Sequence, residues 1–271
     1  MVRIGIIGGS GIYRLIEDPV VREISTPFGE VKVYTGMFGG EEIAFIPRHG
    51  EKHEIPPFKV NYKGNLYAFN LLEVERVLAT NAVGSINPKL EPGTIVLPHD
   101  LIDLTRCRNG TFYDGKTVLR VRGKEVGGVI HVSMTPSTYC PELRSSILAA
   151  AKEMGLHVID GSVYVCAEGN RFETPAEIRA MSILGGDIVG MTGCPEVALA
   201  RELALCYASI AIVTNYAAGV KSNAKLTHEE VMDIFSRRLD DLSELLARTI
   251  PRIPKERSCP CKDALREFLK D

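Results

Sequence analysis

The feature that most constrains this chain is a recurring pair: a short, largely apolar run that ends in a turn of glycine or small hydroxyl residues. Residues 2–7 run into Gly8-Gly9-Ser10-Gly11, residues 77–82 run into Gly84-Ser85, and residues 188–191 run into Thr192-Gly193. Runs this short and this apolar are strands buried on both faces. Amphipathic stretches with helix-start signals stand between them. Residues 141–154 carry proline in the first turn, and Thr174-Pro175-Ala176-Glu177 is a capping box. Thr227-His228-Glu229-Glu230 is a second capping box, opening a helix that is expected to reach about Arg248. Further strands are expected at 30–34 and 42–46 as a hairpin, at 129–132, as one long strand over 158–167, and at 210–214; further helices are expected at 65–72 and 196–205. The pattern predicts an α/β protein, a single domain over residues 1–271 with a mixed central sheet flanked by helices on both faces. In such folds ligands sit in the loops at strand ends, here 8–11, 47–50, 81–85, 169–174, 191–196 and 215–219.

Composition excludes several functions. A formal net charge of -2 without a long basic run argues against a nucleic-acid partner. No apolar stretch approaches the roughly 20 residues of a membrane span. The start Met1-Val2-Arg3-Ile4-Gly5 reads as a buried strand and not as a signal peptide, so a cytoplasmic protein is expected. The seven cysteines match no zinc spacing, and the HxxxH pair His49 and His53 is followed closely by Pro56-Pro57, so no metal site is expected. The chain has no glutamine, which together with its many cysteines suggests a thermophilic source.

The loops carry the chemistry. Gly8-Gly9-Ser10-Gly11 can turn backbone N–H groups and the Ser10 hydroxyl toward an anion. It is not a Walker loop, and as a dinucleotide fingerprint it lacks the third glycine, which weighs against a nicotinamide-dependent oxidoreductase. Arg48 offers a bidentate fork to an oxyanion and His49 a further donor. Turns of this kind, with one arginine, suit a free phosphate ion.

Six segments, in order, resemble the trimeric purine nucleoside phosphorylase and methylthioadenosine phosphorylase family. They are Ile6-Ile7-Gly8-Gly9-Ser10-Gly11, Pro47-Arg48-His49-Gly50, Thr80-Asn81-Ala82-Val83-Gly84-Ser85, Glu168-Gly169-Asn170-Arg171-Phe172-Glu173-Thr174, Gly190-Met191-Thr192-Gly193-Cys194-Pro195-Glu196 and Val213-Thr214-Asn215-Tyr216. The resemblance implies that phosphate is held by Ser10, Arg48, His49, the Asn81–Ala82 turn and Thr192. It implies that the ribose lies on Met191, that the base stacks near Phe172, and that His131 reaches into a neighbouring subunit's site. A homotrimer or dimer of trimers follows, with no cofactor beyond phosphate as co-substrate. Asn215 and His49 become the candidate catalytic residues. Relatives usually have Gly-Pro where this chain has Gly169-Asn170, a change expected to affect loop stiffness alone. Cys259-Pro260-Cys261 reads as a strained redox pair or as two free thiols in a tail; the resemblance, to relatives that carry such a Cys-x-Cys and intra-chain disulfides, implies the former, and Cys140 with Cys206 is the candidate second pair.

Overall similarity resembles the methylthioadenosine branch, while the base-facing positions point elsewhere. They are Glu173 and the run Asn215-Tyr216-Ala217. A 6-oxopurine presents N1–H as donor and O6 as acceptor, matching the Glu173 carboxylate and the Asn215 amide; adenine reverses both edges. His228, ahead of Glu229-Glu230-Val231, resembles the donor to a ribose 5′-hydroxyl. The expected activity is phosphorolysis of guanosine or inosine, with methylthioinosine or methylthioadenosine as the alternative substrate and a non-catalytic nucleoside-binding protein as the alternative class.

Overall fold

The computed structural model describes residues 2–9, 16–221 and 227–269, with the side chains of His228 and Glu230 outside that description. Its centre is a group of parallel strands. β1 (Ile4–Gly8) lies between β4 (Glu41–Pro47) and β5 (Arg76–Ser85), and β5 pairs in turn with β13 (Cys206–Tyr216). Side chains alternate between two cores. Val77, Ala79 and Val83 of β5 enter one, with α1 (Tyr62–Leu71) and α4 (Gly193–Glu202) packed over it. Leu78 of β5 and Ile210 and Ile212 of β13 enter the other, beneath α2 (Pro141–Met154) and α6 (Leu239–Thr249). Burial on both faces is why these strands read as unbroken apolar runs.

Antiparallel strands make the sheet mixed. β3 (Gly29–Phe38) and β2 (Glu17–Thr26) extend it beyond β4. On the far side β6 (Ile95–Leu97) runs antiparallel to β13 and carries β10 (Val158–Asp160). β11 (Val163–Cys166) joins β7 (Asp100–Asp103) to β12 (Ile188–Gly190), and β12 pairs antiparallel with the end of β5. β8 (Asp114–Val121) and β9 (Lys124–Val129) form a separate hairpin. α3 (Pro175–Ile183) follows the Thr174 capping box, whose two reciprocal hydrogen bonds are both present, and α5 (His228–Arg237) precedes α6.

Several expectations need correction. The strand expected at 129–132 ends with β9 at Val129. The long strand expected over 158–167 is two strands, divided near Gly161, whose φ of +100° suits glycine alone. The helix expected to run to Arg248 breaks at Arg238, where the side chain donates to the Gly93 carbonyl at 2.9 Å. Residues 81–85 are not a turn; they stay in β5 because β13 and β12 continue to pair with them. β2 escaped the sequence reading because most of its residues are exposed and it contains Pro19.

All seven cysteines are free, so the candidate disulfides are not formed in this structure. Cys206 and Cys259 approach to 3.3 Å, well beyond a sulfur–sulfur bond. The C-terminal tail has little regular structure; Arg3, Arg122 and Lys124 donate to its carbonyls, and so does Arg76. That fully buried side chain pairs with Glu142 at 2.7 Å and donates to the carbonyls of Pro254 at 2.8 Å and Glu256 at 3.0 Å. Among the described residues no helix is long and apolar enough to cross a membrane.

Candidate active site

The register of the central strands opens a cavity. β1 pairs with β5 only as far as Ala79, and β12 resumes pairing at Gly84 and Ser85. Between them the β5 edge at residues 80–83 has no strand neighbour on that side. A cavity of about 730 Å³ lies there, a volume that suits a small organic ligand.

Its polar end is built on a buried ion pair. Arg48, directly after β4, donates from Nε and Nη2 to the two carboxylate oxygens of Glu196 at 2.8 and 2.7 Å, both side chains being almost wholly buried. Nη1 donates to the Thr80 carbonyl at 2.8 Å, and Tyr207 Oη donates to Glu196 at 2.6 Å. Burial works against the Arg48 charge, but the Glu196 carboxylate outweighs it by charge and by hydrogen bond, and holds the guanidinium's pKa above its ordinary value. The bidentate fork expected to face an anion is therefore committed to Glu196. What Arg48 can still offer the cavity is the second N–H of Nη1, its charge being balanced by Glu196. Glu196 lies in a motif noted in the sequence, yet nothing there marked it as the partner of an arginine 148 residues away.

Beside this pair is a directed chain of hydrogen bonds. Ser209 Oγ donates to Asn81 Oδ1 at 2.7 Å, and Asn81 Nδ2 donates to Thr192 Oγ1 at 2.7 Å. Because Thr192 accepts from Asn81, its own hydroxyl hydrogen is free to donate into the cavity. Asn81 thus acts through Thr192, while Ala82 is exposed on the cavity wall. Thr80 Oγ1 also lies on this wall, buried and without a hydrogen-bond partner. Its sequence neighbours were singled out and it was not, since only geometry shows an unpaired hydroxyl.

His49 lies against the same wall. Its Nδ1 is 2.8 Å from the Ile55 carbonyl, which can only accept, so Nδ1 carries the proton. Burial first, and the Arg48 charge second, lower its pKa to about 4. The ring is neutral near pH 7, and its Nε2 is an acceptor rather than the donor expected from sequence. His53, also on the cavity wall, stacks on His49 with ring centroids 4.6 Å apart. Gly9 lines this end too, while Ser10 lies outside the described residues.

The other end is less polar. Met191 and Phe172 line it, and Gly169 gives Met191 room, since a Cβ there would stand 2.8 Å from the Met191 sulfur. Glu173 reaches the cavity, and burial pushes its carboxyl pKa above the ordinary value. Asn215 accepts from Thr214 Oγ1 and donates from Nδ2 to the Tyr216 carbonyl, each at 2.9 Å. The carbonyl partner fixes the amide's orientation and leaves one N–H for a ligand. Ala217 lines the cavity with Asn215, whereas Tyr216 does not; it alternates away and bonds Lys221 Nζ at 2.7 Å. Val231, Met232 and Phe235 of α5 close the wall, and the His228 side chain lies outside the described residues. His131 is exposed and is not part of the wall.

Taken together, the cavity joins an end lined by hydroxyls and by Arg48 of the Arg48–Glu196 ion pair to a less polar end carrying one carboxylate and one amide. The profile of the phosphorylase superfamily matches residues 3–251. A "Probable 6-oxopurine nucleoside phosphorylase" of Korarchaeum cryptofilum is 70% identical over 100% of both chains. The "6-oxopurine nucleoside phosphorylase" of Pyrococcus furiosus is 51% identical over 98% of both. The solved structure of methylthioadenosine phosphorylase from Schistosoma mansoni in complex with adenine superposes with a TM-score of 0.87 at 33% identity, over 99% of this chain and 98% of that one. The two relatives are named for 6-oxopurine nucleosides, while the solved structure that superposes over the whole chain is a methylthioadenosine phosphorylase.

Proposed function

Because the chain belongs to the phosphorylase superfamily, we propose that it is a purine nucleoside phosphorylase that cleaves 6-oxopurine nucleosides, guanosine and inosine, with inorganic phosphate to give the free base and ribose 1-phosphate. One observation carries this reading: a single cavity presents Arg48 and the Thr192 hydroxyl at one end and, at the other, the Glu173 carboxylate with the oriented Asn215 amide. The two groups complement N1–H and O6 of a 6-oxopurine. Both would be mismatched against adenine, at about 1–3 kcal/mol for each buried polar group left unpaired.

The proposed mechanism is positioning plus charge. Phosphate lies between the Thr192 hydroxyl, the Arg48 Nη1 group and His49, with Ser10 and the Ala82 edge completing its site. A protonated phosphate oxygen donates to His49 Nε2. The ribose rests on Met191 and the base on Phe172. As the glycosidic bond stretches, the sugar gains oxocarbenium character and the phosphate beneath it stabilises that charge. Asn215 donates to the departing purine at N7 or O6, and phosphate oxygen then forms the bond to C1′. The electron pair of the broken bond stays on the base, and no metal or organic cofactor enters.

A trimer or dimer of trimers in the cytoplasm completes the proposal, with His131 serving a neighbouring subunit's site. Its exposure, and that of Val118 and Val129 on the adjoining hairpin, supports this. A second reading, methylthioinosine as substrate, draws support from the apolar side chains Val231, Met232 and Phe235 on the cavity wall.

Release of hypoxanthine from inosine tests the reaction class. It should require phosphate and yield ribose 1-phosphate in equal amount; release without phosphate, giving free ribose, would contradict it. The phosphate end has its own test. Thr192→Val should lower kcat/KM for phosphate by about 10- to 150-fold, the worth of a hydrogen bond to a charged group. Thr192→Ser should keep most of it, and an unchanged kcat/KM for phosphate in Thr192→Val would remove Thr192 from the site.

A further inference from the structure

Outside the cavity, Cys140, Cys206, Cys259 and Cys261 converge on one point, their four sulfurs lying within 4.8 Å of one another. All four residues are buried, none more than 4% exposed. They come from three places in the fold: the residue before α2, the first residue of β13, and the tail on either side of Pro260. We propose that these four cysteines form a tetrathiolate site for a structural zinc ion.

The geometry suits zinc. Zn–S bonds of about 2.3 Å in a tetrahedron place the sulfurs about 3.8 Å apart. With Cys206 and Cys259 at 3.3 Å and no separation above 4.8 Å, side-chain shifts of about an ångström or less meet that requirement. Four protein ligands fill the coordination sphere, which makes the site structural and not catalytic. The surroundings suit the charge as well. One zinc with four thiolates carries two negative charges, and Arg76 stands beside it, its Nη1 donating to Cys206 Sγ at 3.3 Å and lying 4.0 Å from Cys259 Sγ. Binding would release the thiol protons to solvent.

Compared with one bond within Cys259-Pro260-Cys261 and another between Cys140 and Cys206, a metal engages all four sulfurs at once, and the first bond adds little. That bond would close a loop of only three residues and restrain the unfolded chain little. A zinc ion ties the tail to Cys206, 53 residues earlier, and to Cys140 on another element. It anchors the segment that Arg76 also holds through backbone carbonyls.

Metal analysis of the untagged full chain, purified anaerobically under reducing conditions, tests this independently of any nucleoside chemistry. About one zinc per chain is expected. Cobalt exchanged into the site should show the intense visible bands of tetrahedral thiolate coordination. Cys140→Ser and Cys261→Ser should each lose the metal, while replacement of the exposed Cys107 by serine should keep it. The wild-type metal content and cobalt spectrum decide the matter even if the serine variants misfold. Zinc at background level overturns the proposal, whether mass analysis then finds two disulfides or four thiols open to alkylation.

Discussion

Asn215→Ala should lower kcat on inosine by about a hundred- to a thousandfold, with a much smaller change in KM and in thermal stability. The magnitude is that of removing one fixed donor from a site where charge develops in the transition state. The structure explains why the effect should fall on kcat. Asn215 Nδ2 is anchored on the Tyr216 carbonyl at 2.9 Å, so its remaining N–H is set before substrate arrives. A donor held in this way stabilises the purine most as it leaves with the bond's electrons, and less in the neutral ground state. The Tyr216 carbonyl is only partly buried, so losing its partner should cost little stability. Asn215→Asp should weaken oxopurine turnover and improve aminopurine turnover. Steady-state kinetics with a melting curve separates the cases; a KM-only effect in Asn215→Ala would make it a binding residue and not a catalytic one.

Acid should erode the preference for inosine over adenosine, and Glu173 is the reason. Burial raises its carboxyl pKa, so the group takes up a proton at a higher pH than an ordinary carboxylate. The ionised form accepts from N1–H of a 6-oxopurine. The protonated form loses that acceptor and gains a donor that suits adenine N1. As pH falls through the raised pKa, kcat/KM for inosine should drop while that for adenosine holds or rises. Glu173→Gln removes the titration. It should lower the inosine-to-adenosine ratio by about 5- to 150-fold, the equivalent of 1–3 kcal/mol, and leave that ratio flat across the same pH range. A ratio that follows pH equally in wild type and Glu173→Gln would show that another group reads the base.

How much of this was legible in the sequence follows from what each residue depends on. Strands buried on both faces announce themselves through apolar side chains alone, so β1, β5 and β13 were visible. β2 carries its pairing in backbone groups, and its exposed side chains left no pattern to read. Helix starts were legible where local chemistry sets them, as in the Thr174 capping box that opens α3. Positions in the cavity were likewise legible as motifs: Arg48, His49, Thr192, Phe172, Glu173, Met191 and Asn215 all reach its wall. Their roles were less so, because roles depend on partners far along the chain. Arg48 looked like a free fork until Glu196 took it, and His49 like a donor until the Ile55 carbonyl fixed its proton. Tyr216 was carried along by its neighbours, although strand alternation turns it away. The sulfur cluster shows the same limit. Zinc spacings can be recognised when ligands come in close pairs, and here they come from three separate segments.

The central claim is that Glu173 and Asn215 read the purine edge. The most direct test compares kcat/KM for guanosine, inosine, adenosine, methylthioinosine and methylthioadenosine under saturating phosphate. The account predicts that guanosine and inosine exceed adenosine by a wide margin, and that methylthioinosine likewise exceeds methylthioadenosine, because the base and not the 5′ group sets the order. If adenosine or methylthioadenosine leads, the carboxylate and amide do not read the base as described, and the account is wrong.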